Sequence, residues 1–384
     1  MGEFEEKVRA AFDAELKTAQ ARPGLRQRVI ANAVATPRRR PMGFAAWLSP
    51  PRLALVGAAA AVLVVAGVGI RVATTQRTPV VAQHSPTPAP ALAFGKLPAP
   101  QLHPPTGLGA GGGGPTVVPY FGPATMTWSG QLPKVPSAAP VYRFTLPDAS
   151  AFDAFAARLG ARPQGPGGPP DSRTYSGPDG FSMFIGPDPI ANEPVFILNW
   201  DTAPTGGQPL DEASARAAAD AELSRLGLMP AWKFTIQYSQ YTAASLASST
   251  VIYQRLVQVD PTTTAGEVDG NGDPSGIEVM LDPKGQILHV AGPLRLAEKP
   301  ASYPLRPVSV AVNEALNAPP IMTGPSPVPS VTLTKATLVY ATVRTGTIGY
   351  SEPAYLFTGT FTLNGQPLEK RILVPALTTT GASP

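Results

Sequence analysis

The sequence predicts an α+β extracytoplasmic domain of helix-plus-antiparallel-strand units, tethered to a single N-terminal transmembrane helix. Three observations predict it. Leu53 to Ile70 runs unbroken without a charged residue, long enough to cross a bilayer. A stretch rich in proline and glycine comes next. Beyond residue 141, helical periodicity and strict alternation replace one another three times, and runs of strands after helices point to α+β organisation. The resulting boundaries are 1–52 cytoplasmic basic helical segment, 53–74 transmembrane helix, 75–140 linker, 141–208 first α+β unit, 209–377 second and third units, and 378–384 tail.

Residues 1–52 hold ten Lys and Arg against five Asp and Glu, leaving twenty and twenty-one in the remainder. The surplus of positive charge is therefore confined to the front and gives no warrant for a nucleic-acid-binding domain. Phe4, Val8, Phe12 and Leu16 recur at helical spacing among acidic and basic residues, the pattern of one amphipathic helix ending at Pro23-Gly24. So short a segment cannot bury its stripe alone. It must lie on anionic lipid or dock on a partner.

The series Arg22-Pro23-Gly24-Leu25-Arg26-Gln27-Arg28-Val29, with the Arg38 to Arg40 cluster and one span after it, resembles the N-terminal part of bacterial membrane-bound anti-sigma-like regulators. The resemblance implies a cytoplasmic sigma factor or signalling kinase as partner. The zinc-binding subtype is excluded, because the chain has no cysteine and no histidine before His84.

Arg38, Arg39, Arg40 and Arg52 precede the apolar run, and Arg71 and Arg77 come after it. Positive charge gathers on the cytoplasmic side of a span, so the N-terminus is expected inside and the C-terminal domain outside a bacterial cell membrane. The run begins too late to be a cleaved signal sequence. At about 1.5 Å per residue it covers roughly 27 Å. Its small residues Gly57 and Ala61 lie four apart, as on helix-packing faces.

From Pro79 to Pro140 there are fourteen prolines and nine glycines. That composition favours extended, solvated chain, and the segment reads as a spacer. Val117, Val118, Tyr120, Phe121 and Trp128 are apolar enough to dock as a strap on the domain beyond residue 141.

In the first unit Pro147-Asp148 opens a helix that ends at Arg158-Leu159-Gly160. In the second, Leu210-Asp211 opens a helix that ends at Arg225-Leu226-Gly227. Arg-Leu-Gly-x-x-Pro thus occurs twice, which two capped helix ends explain without common origin. In the third, Ser309 is expected to cap a short helix. Asn364-Gly365 marks a hairpin. Ile277-Glu278-Val279-Met280-Leu281-Asp282-Pro283-Lys284-Gly285-Gln286-Ile287, with its preceding helix, resembles a PepSY-like unit. Glu352 to Phe357 with Val374 to Leu377 resembles the extracytoplasmic part of YycH/YycI-type regulators of two-component systems. Those families imply single-pass anchoring, binding to envelope proteins and no catalysis.

The chemistry to weigh is sparse. Without cysteine there are no disulfides, thiolate metal sites or cysteine nucleophiles. His289 is the one histidine beyond residue 103, and no Gly-x-Ser-x-Gly or phosphate-binding loop is present. Asp269, Asn271 and Asp273 alternate as calcium ligands do, but Pro274 stands where an EF-hand needs glycine, and Glu278 falls two positions short of the closing acid. A solvated turn explains the same residues. No cofactor is expected. The reading is a non-enzymatic envelope regulator or sensor that binds a protein or wall ligand outside and a signalling partner inside. A non-signalling scaffold is the alternative, and a carboxylate-dependent wall hydrolase a third.

Overall fold

The computed structural model describes residues 93–104, 117–165, 171–188, 193–202, 206–243, 246–324 and 327–378. Its elements in chain order are β1 (Val118–Tyr120), β2 (Thr125–Trp128), β3 (Ala138–Thr145), α1 (Ala149–Arg158), β4 (Arg162–Pro163), β5 (Arg173–Ser176), β6 (Phe181–Asp188), β7 (Glu193–Trp200), α2 (Glu212–Leu226), β8 (Phe234–Ala243), β9 (Leu246–Gln258), β10 (Thr264–Val268), β11 (Gly276–Leu281), β12 (Ile287–Pro293), β13 (Leu296–Pro304), α3 (Val308–Leu316), β14 (Ser330–Leu333), β15 (Lys335–Thr345), β16 (Ile348–Leu363) and β17 (Gln366–Pro375).

This corrects the expected class. The described chain is mostly β, and its three helices are short. Its strands do not stand as separate helix-plus-antiparallel-strand units. Fifteen of them join one mixed sheet in the order β1-β17-β16-β15-β10-β9-β11-β12-β7-β6-β5-β4, with β8 on β9 and with β3 on β16 and β13. Two of its ladders are parallel, β1 with β17 and β10 with β15; β2 and β14 form a separate parallel pair. Alternation reveals strands one at a time but not their neighbours, so three helical interruptions mimic three domain-forming units. Among the described residues no helix is long and apolar enough to cross a membrane. The run 53–70 lies outside those residues, as do Phe4, Val8, Phe12, Leu16, Arg38, Arg39, Arg40 and Arg52.

The helices carry their own start and stop signals. Asp148 and Asp211 accept the backbone N–H of Ala151 and Ser214 at 2.9 Å each, the usual N-cap bond. Gly160 and Gly227, at φ +69° and +63°, supply the left-handed turn that ends α1 and α2. The helix α3 begins at Val308 behind Pro307, with no side-chain cap, so Ser309 lies inside the helix and does not cap it.

Two of the expected copies share more than a cap. Asp153 precedes Gly160, and Asp220 precedes Gly227, by the same interval. Each aspartate accepts a hydrogen bond from a tyrosine on the second strand after its helix: Tyr175 on β5 at 2.8 Å and Tyr253 on β9 at 2.6 Å. Strands β4-β5-β6-β7 meet β12-β11-β9-β8 through the antiparallel β7–β12 pair. The strand order therefore mirrors itself about that seam, with one helix belonging to each half.

Phe152, Phe155, Tyr175, Phe181, Leu198, Tyr253 and Val279 form the core beneath α1 and α2. Tyr303, Ala311, Ala315, Leu333, Tyr340, Tyr355 and Phe357 form the core beneath α3.

Much of the segment read as spacer is packed. Residues 93–104 lie against the second core, with Leu97 and Leu102 buried. The Phe94 N–H donates to the Tyr303 hydroxyl at 2.8 Å, and its ring stands 6.3 Å from Tyr303 and from Tyr350. The His103 N–H donates to Gly270 O at 2.7 Å. Phe121 is buried, and Trp128 meets Phe357 edge-on at 5.6 Å. Proline composition does not show where a segment packs, and apolar residues every few positions let this one bury Leu97 and Leu102.

Candidate functional site

The strand β9 is shared: Leu246–Arg255 pairs with β8, and Leu256–Gln258 with β10. Where the sheet passes from the helix-covered half to the α3 half, ionisable side chains turn inward from several strands. Glu193 opens β7, Arg255 is on β9, Glu267 on β10, Glu298 on β13, and Arg295 lies in the short link between β12 and β13.

Arg295 is the hub. It donates to Glu193 through two nitrogens, one of them Nη2 to Oε1 at 2.7 Å. Its Nη1 reaches Glu267 Oε1 at 2.9 Å and its Nη2 reaches Thr342 Oγ1 at 3.1 Å. The guanidinium stacks 4.9 Å above the Phe144 ring. Arg255 forms a forked pair with Glu298 at 2.6 and 2.7 Å and sits between the rings of Tyr142 and Trp232. Ser351 on β16 donates to Glu267 Oε1. The Glu193, Glu267 and Arg295 side chains are at most 5% exposed.

Burial pushes the Glu267 carboxyl up, but the charges of Arg295 and Arg255 outweigh it and hold the group below its ordinary range. Glu193 is pushed up by burial, with Arg295 opposing. The Arg295–Glu193 and Arg255–Glu298 pairs are bidentate, the geometry that best offsets the desolvation of buried charges, whereas Glu267 accepts through Oε1 alone and its buried Oε2 has no hydrogen-bond partner. The network clamps β7, β9, β10, β13, β15 and β16 together. The shallow depression of about 340 Å³ at Glu314, Asn317, Ala318, Pro319, Leu373, Val374 and Pro375 lies elsewhere, over the end of α3.

The calcium-like loop directly follows β10, two residues beyond Glu267. Asp269 Oδ1 accepts the N–H groups of Asn271 and Asp273 at 2.8 and 3.0 Å. The positive charge facing the loop is Arg371, which donates to Asp273 Oδ1 at 2.6 Å and to Asn271 O at 3.0 Å. Burial, reinforced by the Asp273 charge, pushes the Asp269 carboxyl up to about 7. Among the described residues no cluster of three or more His, Asp or Glu side chains surrounds a metal position. His289 on β12 rests its Nδ1 2.9 Å from Asn199 Oδ1.

Glu352, on β16, is fully buried with neither carboxylate oxygen hydrogen-bonded, and burial pushes it up to about 8. Lys370, on β17, donates to Gly122 O at 2.6 Å beside the Tyr120 ring, and burial lowers it to about 8.

Sequence reasoning missed Glu193, Arg255, Glu267, Arg295 and Glu352. A signal existed for Arg255. It shares strand parity with Val251, Tyr253 and Val257, all buried, so alternation alone turns it inward.

No family model matches the chain, and no curated protein matches it. Among solved structures, an uncharacterized protein from Eubacterium rectale ATCC 33656 is similar at 7% identity, over 66% of this chain and 90% of that one, with a TM-score of 0.36. A likeness at that score carries no argument about fold or activity.

Proposed function

We propose that the protein is a membrane-anchored bacterial envelope regulator whose outer β domain binds a protein or wall ligand and whose inner segment engages a signalling partner. The observation that carries the reading is the uncharged run Leu53 to Ile70, with Arg38, Arg39, Arg40 and Arg52 before it. The packing of residues 93–104 on the domain adds support. It leaves the residues from Arg71 to Leu92 to span from the run to the domain, roughly 70 Å when extended, so the domain is kept near the membrane surface. The buried ion cluster that ties six strands together suits a rigid binding platform.

Protease added to intact cells tests the topology. The reading requires loss of the domain beyond residue 93 with protection of residues 1–52. Capture by residues 1–45 of a sigma factor or kinase from the same cells supports signalling. Unchanged envelope phenotype on deletion of residues 1–40, with the span kept, overturns signalling in favour of a scaffold.

A further inference from the structure

Among the described residues, the strands β4, β1 and β13, which end branches of the large sheet, are guarded. The strand β4 is two residues long and consists of Arg162 and Pro163; β1 is three residues with Pro119 at its centre. The strand β13 carries Glu298, Lys299, Pro300 and Pro304, and its register shifts between Leu296 and Lys299. Short length, charge, proline and bulges are the devices that stop an edge from recruiting another strand.

The strand β8 has none of them. Its ten residues, Phe-Thr-Ile-Gln-Tyr-Ser-Gln-Tyr-Thr-Ala, include no charge and no proline. They pair with β9 in unbroken register and, among the described residues, with no other strand. The Leu256 N–H donates to Lys233 O at 2.8 Å, which sets the phase of the ladder. Odd-numbered residues of β8 direct their backbone groups at β9. Phe234, Ile236, Tyr238, Gln240 and Thr242 direct theirs at the open edge.

We propose that this edge pairs antiparallel with β8 of a second copy of the chain, joining two sheets across a two-fold axis at Ser239. Such an axis sets the central residue against its own twin and its neighbours against each other's counterparts, so a charge at the centre would meet its like; β8 carries none. A residue on the axis in a non-hydrogen-bonded pair lies about 4.5 Å from its twin, Cα to Cα, and the smallest side chain near the middle of the strand, Ser239, occupies that place. Tyr238 then faces Gln240 of the second copy, Ile236 faces Thr242 of the second copy, and about eight backbone hydrogen bonds close the ladder. A closed, self-matching contact of this kind gives a dimer, not a fibre. The inference does not depend on the regulatory reading above.

Light scattering on the detergent-solubilised full chain tests it. The polypeptide mass should be twice 39.9 kDa. Ser239→Lys and Ser239→Glu should each return it to the single mass, and an equimolar mixture of the two should restore the doubled value. A wild-type chain at the single mass overturns the proposal, as does a doubled mass that both charged variants retain, which would place the contact elsewhere, such as the 53–70 run. If circular dichroism shows either charged variant to be unfolded, Ser239→Cys decides. In a chain with no other cysteine, mild oxidation should link two copies, and failure to link overturns the proposal.

Discussion

The Arg295 guanidinium donates to Glu267 Oε1 at 2.9 Å where the sheet passes from the strands beneath α1 and α2 to those beneath α3. One cation thereby ties the link after β12 to β10, while its other nitrogens hold Glu193. Removing it strips Glu193 of its hydrogen-bonded counter-charge and leaves buried Glu267 with only Arg255, 3.9 Å away. Arg295→Met should cost about 3–5 kcal/mol in urea unfolding. Adding Glu193→Leu and Glu267→Leu to that variant should recover most of the loss, because a buried ion pair contributes little beyond a well-packed apolar replacement. A single-variant loss under 1 kcal/mol would mean that water reaches the cluster.

The strap at residues 93–104 should behave as part of the domain. Leu97→Ala removes a side chain that is 1% exposed and should destabilise by about 2–4 kcal/mol. Lys96 beside it is exposed in side chain, but cleavage there needs local opening. Trypsin should cut after Lys96 slowly in the wild type and many-fold faster in Leu97→Ala. Equal rates would mean that the strap is not held.

Local features were legible in the sequence where local physics decides them. Asp148 and Asp211 as caps, Gly160 and Gly227 as stops, and the Asn364-Gly365 hairpin between β16 and β17 needed only nearest-neighbour rules. What did not show was pairing between distant segments. Val118–Tyr120 docks beside Leu368–Lys370 in parallel, and nothing in either stretch names the other. The ion cluster is drawn from positions 193, 255, 267, 295 and 298. Only the parity of Arg255 betrayed any of it, because a lone charge in a strand reads as solvent-facing until its neighbours are known.

Tyr175 and Tyr253 should prove equivalent. Each donates its hydroxyl to the aspartate seven positions ahead of its helix-ending glycine, Asp153 or Asp220. Tyr175→Phe and Tyr253→Phe should each cost about 1 kcal/mol, and the double variant should lose the sum within about 0.5 kcal/mol. A large loss from one and none from the other would show that only one half relies on the bond.

Glu352 gives the stability of the fold a pH dependence of known sign. Its carboxyl stands at about 8 in the folded chain against about 4.3 when exposed in the unfolded one. Below pH 4 the group is protonated in both states and has no effect. As pH rises, the unfolded chain releases the proton while the folded chain keeps it, so stability falls, and the fall is complete once pH passes the folded value. The slope is at most about 1.4 kcal/mol per pH unit in that window. Tyr303, whose hydroxyl holds the Phe94 N–H of the strap, is the titratable group that feels the Glu352 charge. Asp269, raised to about 7, adds a slope of the same sign, but it is present in wild type and variant alike and cancels in their difference. Glu352→Gln keeps the shape and removes the proton equilibrium. The variant should match wild type near pH 4 and exceed it increasingly up to pH 8, measured as the gap between urea midpoints. Parallel pH profiles would mean that Glu352 is ionised and solvated in the native protein.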